Sequence, residues 1–233
     1  MKNYVILSGA GLSAESGLAT FRDSGGLWEG HDPMTVATPE AFARDPDLVQ
    51  RFYNQRRAGL LNAKPNAAHK ALAQFEQAIA TKGGAVLLVT QNVDDLLERA
   101  GAKNILHMHG ELFKIRCTNC HTHFTWKQAL SSQTPCPECQ APALRPAIVW
   151  FGEMPLHMEK IEQALQRADA FISIGTSGSV YPAAGFVEIA RARNIPCIEL
   201  NLAPSDNHYV FTKTIYGPAS KTVPRWVAEE LNQ

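Results

Sequence analysis

An α/β fold on an open parallel sheet, with an inserted small domain made of a helical module and a four-cysteine zinc-binding module, is predicted by three features. Apolar runs of strand length recur along the chain, each ending in glycine or polar residues. Helical segments lie between them, and two C-x2-C pairs interrupt the alternation.

Tyr4 to Leu7 is a short apolar run that enters Ser8-Gly9-Ala10-Gly11, which suits a buried strand leading into a tight turn. Comparable runs are Ala85 to Thr90 before Gln91-Asn92, Ala170 to Ile174 before Gly175-Thr176-Ser177, and Cys197 to Leu200 before Asn201. Parallel strands covered on both faces read this way, and an open parallel sheet binds ligands at its carboxyl ends. Helices are predicted over Ala67 to Ala80 behind a Pro65-Asn66 start, Met158 to Ala168, and Ala183 to Arg193. The alternation predicts a Rossmann-type sheet.

Two stretches fall outside it. More than 70 residues join the first strand to the second, against the roughly 10 to 12 that a crossover needs. They must carry a module of their own, partly helical, read at Gly30 to Leu61. Arg116 to Arg145 is rich in cysteine, proline and polar residues and shows little periodicity. The expected division is 1–29, 82–113 and 146–233 for the sheet, 30–81 for the helical module and 114–145 for the zinc module.

Lysine plus arginine and aspartate plus glutamate both count 22 in 233 residues. No overall field recommends nucleic acid or an anionic membrane as partner. The first apolar run is too short for a signal-peptide core, and no run approaches the roughly 20 residues that span a bilayer. The expected location is the cytoplasm, where thiols stay reduced. Cys117-Thr-Asn-Cys120 and Cys136-Pro-Glu-Cys139 stand 15 residues apart, the spacing of a tetrahedral zinc site with four thiolates. Such a closed shell leaves no position for water or substrate, so this Zn2+ is expected to be structural. Cys197, inside an apolar run, reads as a buried core thiol.

Gly9-x-Gly11-x-x-Ala14 follows a strand, as a dinucleotide fingerprint does. Alone it is equally an ordinary turn. Gly175-Thr176-Ser177 and Asn201, at the ends of other strands, lie where a dinucleotide crossing the crevice would meet them. Arg22 could pair with a phosphate. His107-Met-His109-Gly110 falls at the seam between sheet and zinc module, a place that ligand sites favour. By position alone His109 reads as a structural histidine.

Taken in order, Gly9 to Gly17 with Phe21-Arg22, Thr90-Gln-Asn-Val-Asp94, His109-Gly110, the two cysteine pairs, Leu144-Arg-Pro-x-x-Val-Trp-Phe-Gly-Glu153, Gly175-Thr-Ser177 and Asn201 resemble the sirtuins, the NAD-dependent protein-lysine deacylases. The match runs from Gly9 to about Gly217-Pro-Ala219. The resemblance implies NAD consumed as a co-substrate, acyl-lysine proteins or peptides as partners, and nicotinamide, O-acyl-ADP-ribose and free lysine as products. It makes His109 the base that activates a ribose hydroxyl, a task suited to an imidazole with a pKa of about 6.5.

Gln91, Asn92, Val93 and Asp94 match the segment that holds the nicotinamide ribose and amide. Gly9, Ala10, Gly11, Ser13 and Ala14 match the cofactor loop, with Phe21, Arg22 and Trp28 following. Gly175, Thr176, Ser177, Asn201 and Ala219 match the adenosine-side contacts. Val149, Phe151 and Gly152 match the segment that pairs with the substrate peptide as an added strand.

Tyr53 and Arg56 are three apart and share a helix face. By themselves they read as a half-buried tyrosine beside a solvated arginine, with Arg57 as a neighbour. The resemblance makes them the Tyr-x-x-Arg signature of class III members, which remove succinyl and malonyl groups. A guanidinium and a phenol can bind the distal carboxylate, and Ala37 matches a small residue that leaves room for it. Acetyl removal is expected to persist.

Two departures stand out. Leu97 occupies the place of a common family histidine, and Gly17-Leu-Ala-Thr-Phe21 lacks a proline usual in the cofactor loop. Two rival readings use the same pocket: an NAD-dependent protein ADP-ribosyltransferase, and a non-catalytic protein that senses NAD.

Overall fold

The computed structural model describes residues 1–19, 28 and 30–232. Six strands form the main sheet: β1 (Asn3–Ser8), β2 (Ala85–Thr90), β3 (Ile105–His107), β7 (Ala170–Ile174), β8 (Cys197–Asn201) and β9 (Lys213–Tyr216). Their order is β3-β2-β1-β7-β8-β9, with every pairing parallel. This is the doubly wound order of a Rossmann sheet, whose switch point lies between β1 and β7. Ser8 stands opposite both Thr90 and Ile174, so three strand ends are level where a ligand crevice opens.

The period of two along β1 explains why the sheet is covered on both faces. Tyr4 and Ile6 pack with Phe75, Ile79 and Trp226 from α4 (Ala67–Thr81) and α8 (Ala219–Leu231). Val5 and Leu7 pack with Ile161, Leu165, Phe186 and Val187 from α6 (Met158–Arg167) and α7 (Phe186–Ala192). The helical module expected at 30–81 is therefore too long at its far end. α4 buries its apolar stripe against the sheet, and the module proper ends near Ala63.

That module consists of α1 (Pro33–Val36), α2 (Pro39–Arg44) and α3 (Pro46–Asn62). Each starts with proline behind a capping residue. Asp32, Thr38 and Asp45 accept the N–H groups of Met34, Ala41 and Leu48 at 2.9, 3.0 and 2.9 Å. A cap removes an orphan donor for about 1 kcal/mol, and proline at the first helical position forgoes no bond.

The segment expected to be loop-rich is framed by a second sheet, β4 (Gly110–Cys117), β5 (His123–Thr125) and β6 (Leu144–Ile148), in antiparallel order β5-β4-β6. Leu112 and Phe113 of β4, with Ile148 and Trp150, share a core with Val49, Phe52 and Tyr53 of α3. The helical and zinc modules thus form one small domain, as expected. β9 and α8 are additions to the expected elements. β9 buries only Ile215, which leaves no periodicity to read, and α8 carries Pro224 in its interior.

Candidate active site

The glycine turn is built by contact between loops. Gly9 N–H donates to Ile174 O and Gly11 N–H to Gly175 O, both at 2.9 Å. A Cβ on Gly9 would lie 2.7 Å from Gly175 O, and one on Gly11 would lie 2.7 Å from Gly175 Cα. The two glycines are thus demanded by the turn after β7, where Gly175 sits at φ +61. Ala10–Leu12 and Ala14–Ser16 are short 3-10 turns, so no long helix starts here.

Ser13 points inward and is buried. Its hydroxyl donates to Asp94 Oδ2 at 2.9 Å and accepts from Asn92 Nδ2 at 3.2 Å. Its oxygen also lies 3.3 Å from His69 Nε2. Asn66 N–H donates to His69 Nδ1 at 3.3 Å, which leaves the ring proton on Nε2, aimed at Ser13. Burial pushes the His69 pKa down to about 4 and raises that of Asp94, against the opposing bonds from Leu96 N–H and Ser13. Sequence reasoning missed His69. Its one signal is the Asn66 cap three residues upstream, which the ring completes as a capping box.

The His69 shift has a sign. Unfolded, this histidine takes a proton below about pH 6.5; folded, it resists protonation down to about 4. Its contribution is complete above the unfolded value and lost as pH falls through the folded one, about 3 kcal/mol across that window. Urea unfolding between those pH values is expected to show this loss, and His69→Gln to show a shallower slope. Equal slopes would rule His69 out as the source.

His109 is half-buried, with Nδ1 3.1 Å from Gln91 O. A carbonyl only accepts, so the proton sits on Nδ1 and Nε2 keeps its lone pair. Burial lowers the His109 pKa, partly offset by the Gln91 bond. The ring is therefore neutral and basic near pH 7. Gln91 N–H is tied to Ser8 O at 2.9 Å and Asn92 N–H to Thr90 Oγ1 at 3.0 Å. Val93 O accepts from Leu112 N–H at 2.8 Å, linking this segment to the small domain.

On the other side of the switch point, Thr176 Oγ1 lies 3.0 Å from Ser173 Oγ. Asn201 Nδ2 donates to Thr176 O at 2.8 Å, and Asn201 O accepts from Gly217 N–H at 2.9 Å. Asn201 thus ties the ends of β7, β8 and β9 together. Ser177 O accepts from Asp206 N–H at 2.9 Å. Ala219 opens α8, whose next residue, Ser220, donates twice to Glu15 at 2.8 and 2.6 Å. The glycine loop, the 90–94 segment and these loops stand side by side at the carboxyl end of the parallel sheet, where such a sheet binds ligands. Phe21 and Arg22 lie outside the described residues. Trp28 stands against α3, with its ring 5.3 Å from that of Phe52.

Tyr53, Arg56 and Ala37, the residues expected to form an acyl pocket, lie in the small domain. Tyr53 is 0% exposed, not the half-buried tyrosine expected, because Phe52 and Trp150 pack around it. Trp150 Nε1 donates to its oxygen at 2.9 Å, and burial raises its pKa to about 12. The phenol is therefore neutral, with its own proton to give. Arg56 places its guanidinium 4.1 Å over the Trp28 ring. Ala37 is buried and its carbonyl accepts from Phe151 N–H at 2.9 Å. Arg145 lies 3.3 Å over Trp150 and is gripped by Glu153 at 2.7 and 3.0 Å.

The segment 149–153, expected to pair with a substrate peptide, already spends most of its N–H groups within the protein. Val149 N–H donates to His109 O at 2.9 Å, Trp150 N–H to Glu153 Oε2 at 2.9 Å and Glu153 N–H to Trp150 O at 3.0 Å. Among the described residues Gly152 N–H donates to none, and Gly152 is exposed at φ +88. An added strand would pair there and with carbonyls.

The four cysteine sulfurs lie within 4.8 Å of one another. Cys117 and Cys139 Sγ stand 3.6 Å apart, Cys120 and Cys136 Sγ 3.7 Å. A disulfide requires about 2.05 Å. Tetrahedral thiolates at about 2.3 Å from zinc would stand about 3.8 Å apart, so the residues fit the ion. Cys117 ends β4 and His109 precedes it. The ion would therefore sit at the opposite end of β4 from His109. Cys197 is a buried core thiol, as expected.

A profile of the Sir2 family matches residues 9–182. A Caulobacter vibrioides protein named NAD-dependent protein deacylase is 56% identical, over 97% of this chain and 95% of its own length. A Bdellovibrio bacteriovorus protein of the same name is 56% identical over 99% and 97%. Among solved structures, a Sir2 homologue in complex with NAD superposes with a TM-score of 0.89 at 39% identity, covering 99% of this chain and 91% of that one. A Sir2 variant with a deacetylated peptide and 3′-O-acetyl ADP-ribose gives 0.85 at 27% identity, over 98% and 93%.

Proposed function

The chain belongs to the Sir2 family, and from that premise we propose that it removes succinyl, malonyl and acetyl groups from protein lysines, forming nicotinamide, O-acyl-ADP-ribose and free lysine. NAD, when bound, supplies the ribose carbon that the acyl oxygen attacks and the hydroxyls that take over the acyl group. The residues present fit it. Asn92 and Asp94, locked to each other through Ser13, offer an amide and a carboxylate beside the switch point. His109 Nε2 takes the proton of the ribose hydroxyl while Gln91 O holds Nδ1–H, so the base cannot rotate away. Cys117, Cys120, Cys136 and Cys139 would hold a Zn2+ that braces the small domain, its four-thiolate shell leaving no open position for proton transfer.

The acidic-acyl reading is carried by one observation. Tyr53 and Arg56 stand on adjacent turns of one helix, with the phenol oxygen already accepting from Trp150. The phenol still holds its own proton to donate, which is what a carboxylate needs. Arg56 adds charge, worth about 1.5 to 3 kcal/mol for a charge-assisted bond. Arg56→Met is expected to lower kcat/KM on a succinyl-lysine peptide about 10- to 100-fold and to change the acetyl value less than about threefold. Equal wild-type efficiencies on both peptides, or an Arg56→Met enzyme with the succinyl rate intact, would overturn it.

We also place the protein in the cytoplasm. No helix among the described residues is long and apolar enough to cross a membrane. Its five cysteines are unpaired, which suits a reducing compartment.

A further inference from the structure

His107 and His109 each reach one carbonyl of the segment after β2. His109 Nδ1 lies 3.1 Å from Gln91 O, and His107 Nδ1 lies 3.3 Å from Asn92 O. In charge the two rings are opposites. Among the described residues His109 has no acidic partner, whereas His107, 7% exposed, places Nε2 2.6 Å from Glu98 Oε1 on α5 (Leu96–Ala100). A carbonyl and a carboxylate both only accept, so a ring bonded to both donates from both nitrogens and is an imidazolium. Burial opposes that charge, but the Glu98 bond and charge, with Glu111, outweigh it and raise the His107 pKa.

We propose that His107, charged and anchored by Glu98, is a positioning residue that holds Gln91–Asn92 in the conformation that receives the nicotinamide ribose. This rests on the reading of Asn92 and His109 given above. Asn92 is gripped at three atoms: its carbonyl by His107, its N–H by Thr90 Oγ1 and its side-chain amide by Ser13 Oγ. The carbonyl before it, Gln91 O, sets the tautomer of His109. A shift of these two consecutive peptide units would thus disturb both the ribose contact and the base. Leu97, in place of the common family histidine, packs into the core, so α5 contributes its polar contact here through Glu98.

The charged groups around His107 are Glu98 from α5, Glu111 from β4, Asp94 from the β2–α5 connection and His157 at the head of α6. Lys114 of β4, paired with Glu111 and acting on Glu98, and the His157 imidazole oppose these three carboxylates, so the short bond to Glu98 is what chiefly holds the cation. When pH rises through the raised pKa, His107 keeps one proton for Glu98 and turns a lone pair toward Asn92 O. The grip on Asn92 is present below that pKa and lost above it, so KM for NAD should rise at alkaline pH.

Two measurements on the zinc-loaded enzyme test this. In long-range proton–nitrogen spectra at pH 7, His107 should show both nitrogens protonated and His109 only Nδ1. A neutral His107 would overturn the proposal. In steady-state kinetics, His107→Gln and Glu98→Gln should each raise KM for NAD about 5- to 10-fold, with kcat and the peptide KM changing less. Glu98→Gln should also remove the alkaline rise, because its His107 is already neutral at pH 7. An unchanged KM for NAD, or equal losses in kcat and both KM values, would overturn it. Failure of His109→Ala to stop deacylation would instead refute the underlying site reading. A silent His107→Gln beside an inactive His109→Ala would refute the positioning role alone.

Discussion

His109→Ala is expected to lower kcat for deacylation at least 100-fold while the acyl-peptide dissociation constant stays within about threefold, the span of 10² to 10⁴ being what a positioned base supplies. The ring presents an unprotonated Nε2 because Gln91 O holds Nδ1–H, and burial keeps it neutral by lowering its pKa. The same shift sets a pH limit. The acid limb of kcat should fall below the ordinary histidine value of about 6.5, because only protonation of Nε2 disables the base. Nicotinamide release and lysine release measured together check this. A variant with undiminished kcat, or an acid limb above about 6.5, would remove His109 from the role.

Stripping the metal is expected to reduce deacylation to below about 1% of the holoenzyme rate and to abolish the cooperative unfolding of the small domain, both restored by Zn2+ addition. Besides its cysteines, the core around the site has only Ile115, Leu130 and Leu144 fully buried, too little to order a module without a staple. Structural zinc supplies on the order of 10 kcal/mol in small modules. The loss would spread along bonds already described. β4 runs from Cys117 back to Gly110, beside His109, and β6 leads into Val149–Glu153. α3 is tied to the zinc module through Gln50 Nε2 to Leu144 O at 2.9 Å and Asn54 Nδ2 to Leu130 O at 2.8 Å. Cys136→Ser should behave as the metal-free protein does. Circular dichroism, zinc content and activity on one sample check it, and a metal-free enzyme at full rate would refute the structural role.

The parts legible in the sequence share a property: their signal is local. Tyr4 to Leu7 is apolar on both faces because helices cover both, and that shows in four residues. The cysteine pairs carry their geometry in their spacing, and the sulfurs converge as that spacing requires. The ordered motifs from Gly9 to Gly217 carried the family resemblance that the family profile and the relatives bear out.

Only the tertiary structure decided what depends on partners distant along the chain. Helical periodicity predicted α4, but its allegiance to the sheet is visible only where Phe75 meets Tyr4 and Trp226. Gly9 and Gly11 are compelled by Gly175, more than 160 residues away. Tyr53 is sealed by Trp150, and His69 joins the site through Ser13, 56 positions earlier. The opposite charges of His107 and His109 follow the same rule. Residue type and spacing place a group on an element, but its burial and protonation are set by what the fold packs against it. Glu98 beside one ring and a lone carbonyl beside the other make the first a cation and the second a base.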